Sequence, residues 1–295
     1  ALSRGGAPVP MPAPSRVIIP MSQHIGAPCS PLVKVGDTVK LGQKIGDGEG
    51  VCSPVHASVS GTVAAVEQLP IPGGRQAVCV VIDSDGKDTP DPAIKPRASH
   101  KGLSPAELAA IVREAGICGM GGAAYPTNSK ILSTAGKTET LLINACECEP
   151  YITSDDMVMC TWPEKVILGA RILADVIGAK HTVIAVEDNK PEAIEALRAK
   201  AEGQEDIEIR ALPTRYPQGA KKQLILAVTG KEVAPGARTG ALFNVTTVYS
   251  ICRAVYEGLP ITEKVVTVTG EGANEPKNVI VRVGTPIEQV LDFAG

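Results

Sequence analysis

The stretch TLLINACECEP (residues 140–150) decides the fold. Its first six residues form a short apolar run that ends just before polar and turn-forming residues, the pattern of a buried strand. HTVIAVE (181–187) and IEIRALP (207–213) read the same way. Residues 163–177, 191–202 and 218–229 read as helices, with Pro163 and Pro191 near their starts. This β-α-β-α-β order predicts a mostly parallel sheet with helices on both faces. Asn144 then falls at the carboxyl end of a strand, where open α/β sheets bind ligands. A carboxamide there can read a planar heterocycle by donating and accepting; alternatively Asn144 and Glu147 merely cap the strand end.

Upstream, Ser104-Pro105-Ala106-Glu107 opens a helix with a capping box, and Gly116 ends it. The segment GMGGAAYPTNSK (119–130) follows. It matches G-x-G-x-x-A, but it comes after a helix rather than a strand, so the dinucleotide-binding context is absent. What remains is a glycine-rich loop running into a helix that Thr127 could cap. Its free N–H groups could hold a phosphate, with Lys130 one turn in to add charge; the alternative is a plain surface turn. Gly136-Lys137-Thr138 is no P-loop, because Ile131 stands where that motif needs glycine. Arg215–Lys222 and Phe243–Thr247 each precede a helix and could each be an ordinary loop.

Nearer the N-terminus, RVIIP (16–20), PLVKV (31–35), GTVAAVE (61–67) and QAVCVVI (76–82) read as short strands between glycine turns. The pattern from Lys34 to Glu67 resembles the lipoyl/biotinyl barrel-sandwich fold, in which a hairpin lysine carries the prosthetic group. Here no lysine lies between Lys44 and Lys87, and the hairpin reads Gly50-Val-Cys-Ser-Pro-Val-His56. The expected organisation is a tail at 1–16, a barrel-sandwich domain at 17–88, a Pro-rich linker at 89–102, an α/β domain at 103–260, and the start of a further β unit at 261–295. The last is marked by VVTVTG (265–270) and NVIVRVG (278–284). The class is therefore α/β with all-β modules.

Composition narrows the function. The 295 residues carry a net charge of −3 and 3% aromatics, so there is neither a basic face for a phosphate backbone nor a stacking platform, and no nucleic-acid partner is expected. No apolar run approaches the roughly 20 residues that span a bilayer. The first residues read as neither signal nor transit peptide. Eight cysteines point to reduced thiols rather than a disulfide scaffold. Cys146-x-Cys148 is too closely spaced for a metal motif, and Cys52-x-x-x-His56 reads as structural rather than ligating, so no metal ligand is assigned.

Taken together, PMSQHIGAPCSPLVKVGDTV (20–39), the 119–130 loop, INACECEPYITSDD (143–156), YPQGAKKQLILAVTGKEVAPG (216–236) and the closing strands resemble the C subunit of the Rnf complex, a membrane-associated ferredoxin:NAD oxidoreductase. The middle domain is also similar to the NADH-binding flavoprotein subunit of respiratory complex I. The resemblance implies a Rossmann-like parallel α/β FMN-binding domain and a partial β-grasp (SLBB-like) unit at the end. It implies FMN and NAD(H) as cofactors, with Gly119, Gly121, Gly122 and Lys130 facing the FMN phosphate. Asn144, Glu147, Tyr216, Gly219 and Asn244 would line its ribityl and ring portions, and Tyr125 and Glu149 would meet NADH. No residue is assigned as catalytic, since hydride moves between nicotinamide and flavin without a protein base. Ala220-Lys221 departs from the acidic pair of the complex I relative. The Rnf proteins of this type also carry C-x₂-C-x₂-C-x₃-C-P runs, which no cysteine here matches. Iron–sulfur clusters are therefore expected only in a missing C-terminal part, the chain being read as truncated within its third unit. Ferredoxin and the other subunits of a membrane complex would be partners, with indirect, peripheral attachment to the cytoplasmic face of the cell membrane. The alternatives are a soluble carrier feeding a substrate reductase and a non-catalytic docking subunit.

Because the hairpin lacks a lysine, co-expression with a lipoyl or biotinyl ligase should leave the intact mass of the chain unchanged. A gain of one prosthetic group would overturn this reading.

Overall fold

The computed structural model describes residues 2–234 and 240–295; Pro235 and Gly236, the end of the 216–236 stretch, lie outside it. The central sheet has four strands, Thr140–Ala145, His181–Glu187, Ile207–Leu212 and Ala241–Asn244, all parallel. Thr140–Ala145 lies between His181–Glu187 and Ala241–Asn244, with Ile207–Leu212 on the outer edge. The chain thus runs outward through three strands and then crosses back to the far side of the first. This reversal creates a switch point between Thr140–Ala145 and Ala241–Asn244, where Asn144 and Asn244 are register partners. The fourth strand has no counterpart in the sequence reading, because four residues, ALFN, are too few to show a period.

Both faces of the sheet are covered. Leu141, Ile143, Ile184 and Phe243 pack under the helices Pro105–Glu114, Pro163–Ile177 and Val245–Tyr256. Leu142, Val183, Ala185 and Leu242 face Leu224 and Ile225 of the helix Lys221–Thr229. Successive side chains point to opposite faces, so a strand buried on both sides has to be apolar throughout. The capping box at Ser104 and Glu107 is formed as the sequence predicts, and Gly116 follows at φ +69°. Thr127 does not cap the helix after the glycine loop. It is the first residue of Thr127–Thr134 and is buried, and Pro126 before it offers no side-chain acceptor. The helix expected from residue 218 begins at Lys221, since Arg215–Ala220 form turns.

The N-terminal unit folds as two small sheets around Val17, Ile19, Ile45, Val63, Val80 and Ile82. Of the expected PLVKV strand only Pro31 is extended, in the two-residue strand Ser30–Pro31. Leu32 and Val35 are 57% and 61% exposed, so no burial holds the rest of the run extended. Residues 2–16, within the expected tail, are also paired. Val9–Pro10 pairs parallel with Lys277–Arg282, and the Asn278 amide donates to the Ser3 carbonyl at 3.0 Å. An N-terminal strand tied down in this way is ordered by its partners. Glu263–Val268 completes that three-stranded sheet, with the helix Ile287–Phe293 following.

The helices Pro163–Ile177 and Val245–Tyr256 cross at Gly169, where an added Cβ would stand 2.2 Å from the Val248 carbonyl oxygen. Alanine at Gly169 raises helix propensity by about 1 kcal/mol. Here it must also force the helices apart, typically a cost of about 1–3 kcal/mol. Gly169→Ala should therefore lower the urea midpoint, and a neutral or raised midpoint would show that the crossing can relax.

Candidate functional site

Three segments meet at the carboxyl ends of the two switch-point strands. Asn144 donates through Nδ2 to the Gly219 carbonyl at 2.9 Å and accepts from the Cys146 N–H at 3.1 Å. An added Cβ on Gly219 would lie 2.5 Å from the Cys146 carbonyl oxygen and 3.5 Å from Asn144 Nδ2, so only glycine brings that turn against the strand. Asn244 caps the helix Val245–Tyr256, its Oδ1 accepting from the N–H groups of Thr246 and Thr247. Its Nδ2 donates to Asp155 Oδ2 at 2.7 Å, and the Thr246 hydroxyl donates to Asp155 Oδ1 at 2.5 Å. Gly121 leans on the same amide, its missing Cβ 3.1 Å from that of Asn244.

Glu147 anchors the next helix, Ser154–Thr161, which the sequence reading missed. Its carboxylate accepts from the N–H groups of Asp155 (2.7 Å) and Asp156 (3.3 Å) and from the Ser154 hydroxyl. These donors favour the anion, but burial and the neighbouring Asp155 outweigh them and push the Glu147 carboxyl up to about 7. Burial likewise raises Asp155, against the hydrogen bonds from Thr246 and Asn244. Lys190, 5% exposed, is the cation whose field acts on Glu147, Asp155, Asp156 and Glu187 together. Beside them opens a cleft of about 450 Å³ lined by Glu147, Glu149, Lys190, Arg215 and Tyr216, within the usual range for small-ligand sites.

The structure therefore brings Gly121 to Asn244, Gly219 to Asn144, and Glu147, Glu149 and Tyr216 to one cleft. Gly119 sits lower in its loop, its N–H closing onto the Tyr125 carbonyl at 2.9 Å, and the Met120 N–H donates to Thr247 Oγ1. Gly122 is exposed at φ +134° with open space around it. Tyr125 is 39% exposed on the loop and does not line the cleft with Glu149. Lys130 departs from its expected position. Its ammonium donates to the Leu242 carbonyl at 3.0 Å and lies 5.1 Å over the Phe243 ring, directed at the sheet rather than at Gly119–Gly122. Burial there lowers its pKa.

Sequence reasoning did not assign Asp155, Thr246, Lys190 or Glu187. Asp155 carried a usable signal, an acidic pair behind Thr153-Ser154 that reads as a helix start. Lys190 carried none, because three of its four carboxylates, Glu147, Asp155 and Asp156, are distant in sequence.

A family model described as the Nuo51 FMN-binding domain (Complex1_51K) matches residues 112–253, and one described as the RnfC barrel sandwich hybrid domain matches residues 3–87. Over 289 residues the chain is 45% identical to the C subunit of the Na(+)-translocating ferredoxin:NAD(+) oxidoreductase complex of Acetobacterium woodii, covering 96% of this chain and 65% of that one. The chain is thus similar to the RnfC family over nearly its whole length. Against the C subunit of the ion-translocating oxidoreductase complex of Serratia proteamaculans it is 44% identical over 290 residues, 96% of this chain and 41% of the other. The chain thus spans less than two thirds of the length of either relative. An NAD+-reducing [NiFe]-hydrogenase in its air-oxidized state shares the fold at a TM-score of 0.55 and 22% identity, covering 65% of this chain and 39% of that one. The family's barrel-sandwich domain and the parallel α/β FMN-binding domain are therefore both present. No helix among the described residues is long and apolar enough to cross a membrane.

The raised Glu147 carboxyl sets a direction for stability. The folded chain holds a proton that the unfolded chain releases near pH 4.5, so stability falls as pH rises from about 4.5 through about 7. Glu147→Gln removes this loss, and its stability relative to the parent should improve across that window by up to about 3 kcal/mol. Denaturant melts at pH 5 and pH 8 test this; a difference between the two proteins that does not change with pH would remove Glu147 as the titrating group.

Proposed function

We propose that this chain holds FMN at the switch point and relays electrons between NAD(H) and iron–sulfur clusters of the complete protein and its partners. In this reading it is the peripheral flavoprotein part of an ion-translocating ferredoxin:NAD oxidoreductase, facing the cytoplasm. The observation that carries the proposal is the joint placement of Asn144 and Asn244 at adjacent strand ends, each with a glycine, Gly219 or Gly121, pressed against its amide. Two carboxamides and two bare backbone turns offer donors, acceptors and close approach to a flat heterocycle. The family model for FMN binding covers this segment, and the relatives are named as subunits of ferredoxin:NAD or ion-translocating oxidoreductases.

Bound FMN would supply the exchange of a hydride for single electrons. The chain's own groups bind and orient. The Gly119, Met120 and Thr127 N–H groups being already bonded, those of Gly121, Gly122, Asn128 and Ser129 take the phosphate, and Lys130 joins them by leaving the Leu242 carbonyl. Glu147 and Tyr216 line the cleft beside the ring, and Glu149 and Tyr125 meet NADH from outside. Glu147, held near neutrality, can adjust its protonation to the charge beside it without acting on the hydride. The division at 17–88, 103–260 and 261–295 gives the barrel-sandwich and the closing β unit docking roles around the flavin domain.

Flavin-fluorescence titration of the chain should show saturable FMN uptake, followed by bleaching on anaerobic addition of NADH. Gly121→Val, which drives a branched side chain into Asn244, should abolish uptake. Lys130→Ala should weaken it by roughly ten- to a hundredfold, about 1.5–3 kcal/mol. Unchanged affinity in Gly121→Val and Asn144→Ala would overturn the site, and a chain that takes up no flavin would overturn the function.

A further inference from the structure

The N-terminal unit holds three ligand-type atoms at one point. His24 Nε2, Cys29 Sγ and Cys52 Sγ come from two loops that fold onto each other. The sulfurs are 3.4 Å apart, and Nε2 lies 3.9 Å from Cys29 Sγ and 3.7 Å from Cys52 Sγ. Around a zinc ion with Zn–S of about 2.3 Å and Zn–N of about 2.05 Å, tetrahedral geometry sets these edges at about 3.6–3.8 Å. The circle through the three atoms has a radius of about 2.1 Å, so one point serves all three bonds. We infer that His24, Cys29 and Cys52 form a binding site for a thiophilic divalent cation of the zinc class.

The surroundings suit such an ion. His24 Nδ1 lies 3.2 Å from the Ile25 carbonyl oxygen, and the Ser53 N–H donates to Nε2 at 3.0 Å. This pair of contacts fixes the tautomer with the proton on Nδ1 and leaves Nε2 unprotonated beside the sulfurs, as in ligating histidines whose other nitrogen is held by a carbonyl. Both cysteines are buried, at 5% and 1% exposure. Two thiolates with an imidazole select zinc over hard cations. Beside His24, Ser53 and Cys118 is a cavity of about 40 Å³, room for a water next to the histidine. On binding, the two thiol protons leave to solvent, and the Ser53 N–H gives up Nε2 to the metal.

The site would act as a clamp. The Ala27 N–H already donates to the Val51 carbonyl, and the Ile25 N–H donates to the Ala124 carbonyl of the glycine loop. An ion shared by His24, Cys29 and Cys52 locks the loop that touches 119–125 to the core of the N-terminal unit.

The chain, reduced with a phosphine and stripped of metal, should bind one equivalent of Co²⁺ with thiolate-to-cobalt charge-transfer bands and the intense visible bands of a tetrahedral ion. Zn²⁺ should displace it and raise the Tm. Cys29→Ser and Cys52→Ser should each abolish the charge-transfer bands, and His24→Gln should weaken binding by more than the roughly 10–100-fold typical of losing an outer-shell partner. Cys79→Ser, which removes a buried thiol elsewhere, should leave the spectrum intact and shows that a cysteine loss as such is tolerated. Absence of saturable binding, pale octahedral spectra, or bands that survive Cys29→Ser would overturn the proposal. So would thiol titration of anaerobically purified chain that finds Cys29 and Cys52 joined as a disulfide.

Discussion

The parallel pairing of Ala241–Asn244 with Thr140–Ala145 is the contact on which the rest of the site depends. It makes Asn144 and Asn244 neighbours, although a hundred residues of chain separate them. It also starts the helix Val245–Tyr256 directly at a strand end, so a single carboxamide caps that helix and holds Asp155. An N-cap of this kind is worth about 1 kcal/mol. Losing Asn244 would in addition leave Asp155, already raised by burial, with one fewer donor. Fold and site are thus stabilised by the same groups, and a change that loosens one loosens the other.

The periodic elements were legible because their burial is periodic. Thr140–Ala145, His181–Glu187, Pro163–Ile177 and the capping box at Ser104 all appear where apolar spacing and cap residues place them. The misses have a common cause, which is that their stability comes from partners remote in sequence. Ala241–Asn244 is four residues whose order derives from the neighbouring strand. Val9–Pro10 pairs with a strand some 270 residues later, so nothing local separates it from a tail. In PLVKV the β-branched composition misled, since exposed Leu32 and Val35 have nothing to pack on.

The same limit applied to the candidate site. Asn144 was readable because a strand end is a position that sequence can specify. Lys130 was placed by motif, but the side chain is long enough to reach either the loop or the sheet, and the Leu242 carbonyl and Phe243 ring draw it to the sheet. The nearest metal-type pair in the sequence, Cys52 and His56, is separated in space by function. His56 is buried and its pKa is depressed to about 4 by desolvation, so it stays neutral, and His24 takes its place beside the sulfurs.

Glycine loops that approach a ligand closely carry an entropic cost, because glycine loses the most freedom on ordering. A site built on Gly119, Gly121 and Gly122 needs something outside the loop to hold it, or each binding event must order it afresh. The α/β domain supplies one hold through Met120 and Thr247. The barrel-sandwich domain supplies the other through the Ile25–Ala124 hydrogen bond, and its own position is fixed nearby. Gly116, at φ +69°, stops the helix Pro105–Glu114 where an added Cβ would stand 2.4 Å from the Pro54 carbonyl oxygen. Arg113 closes on Asp47 at 2.7 Å, and Lys44 on Glu114 at 2.5 Å. Half-exposed ion pairs of this kind add little energy, about 0–1 kcal/mol each. The backbone approach at Gly116 instead fixes a distance, which is what a glycine loop requires of a neighbour. A carrier fold without a carrier lysine is then explained mechanically: its hairpin faces the loop as a brace, a role in which a swinging prosthetic arm would have no place.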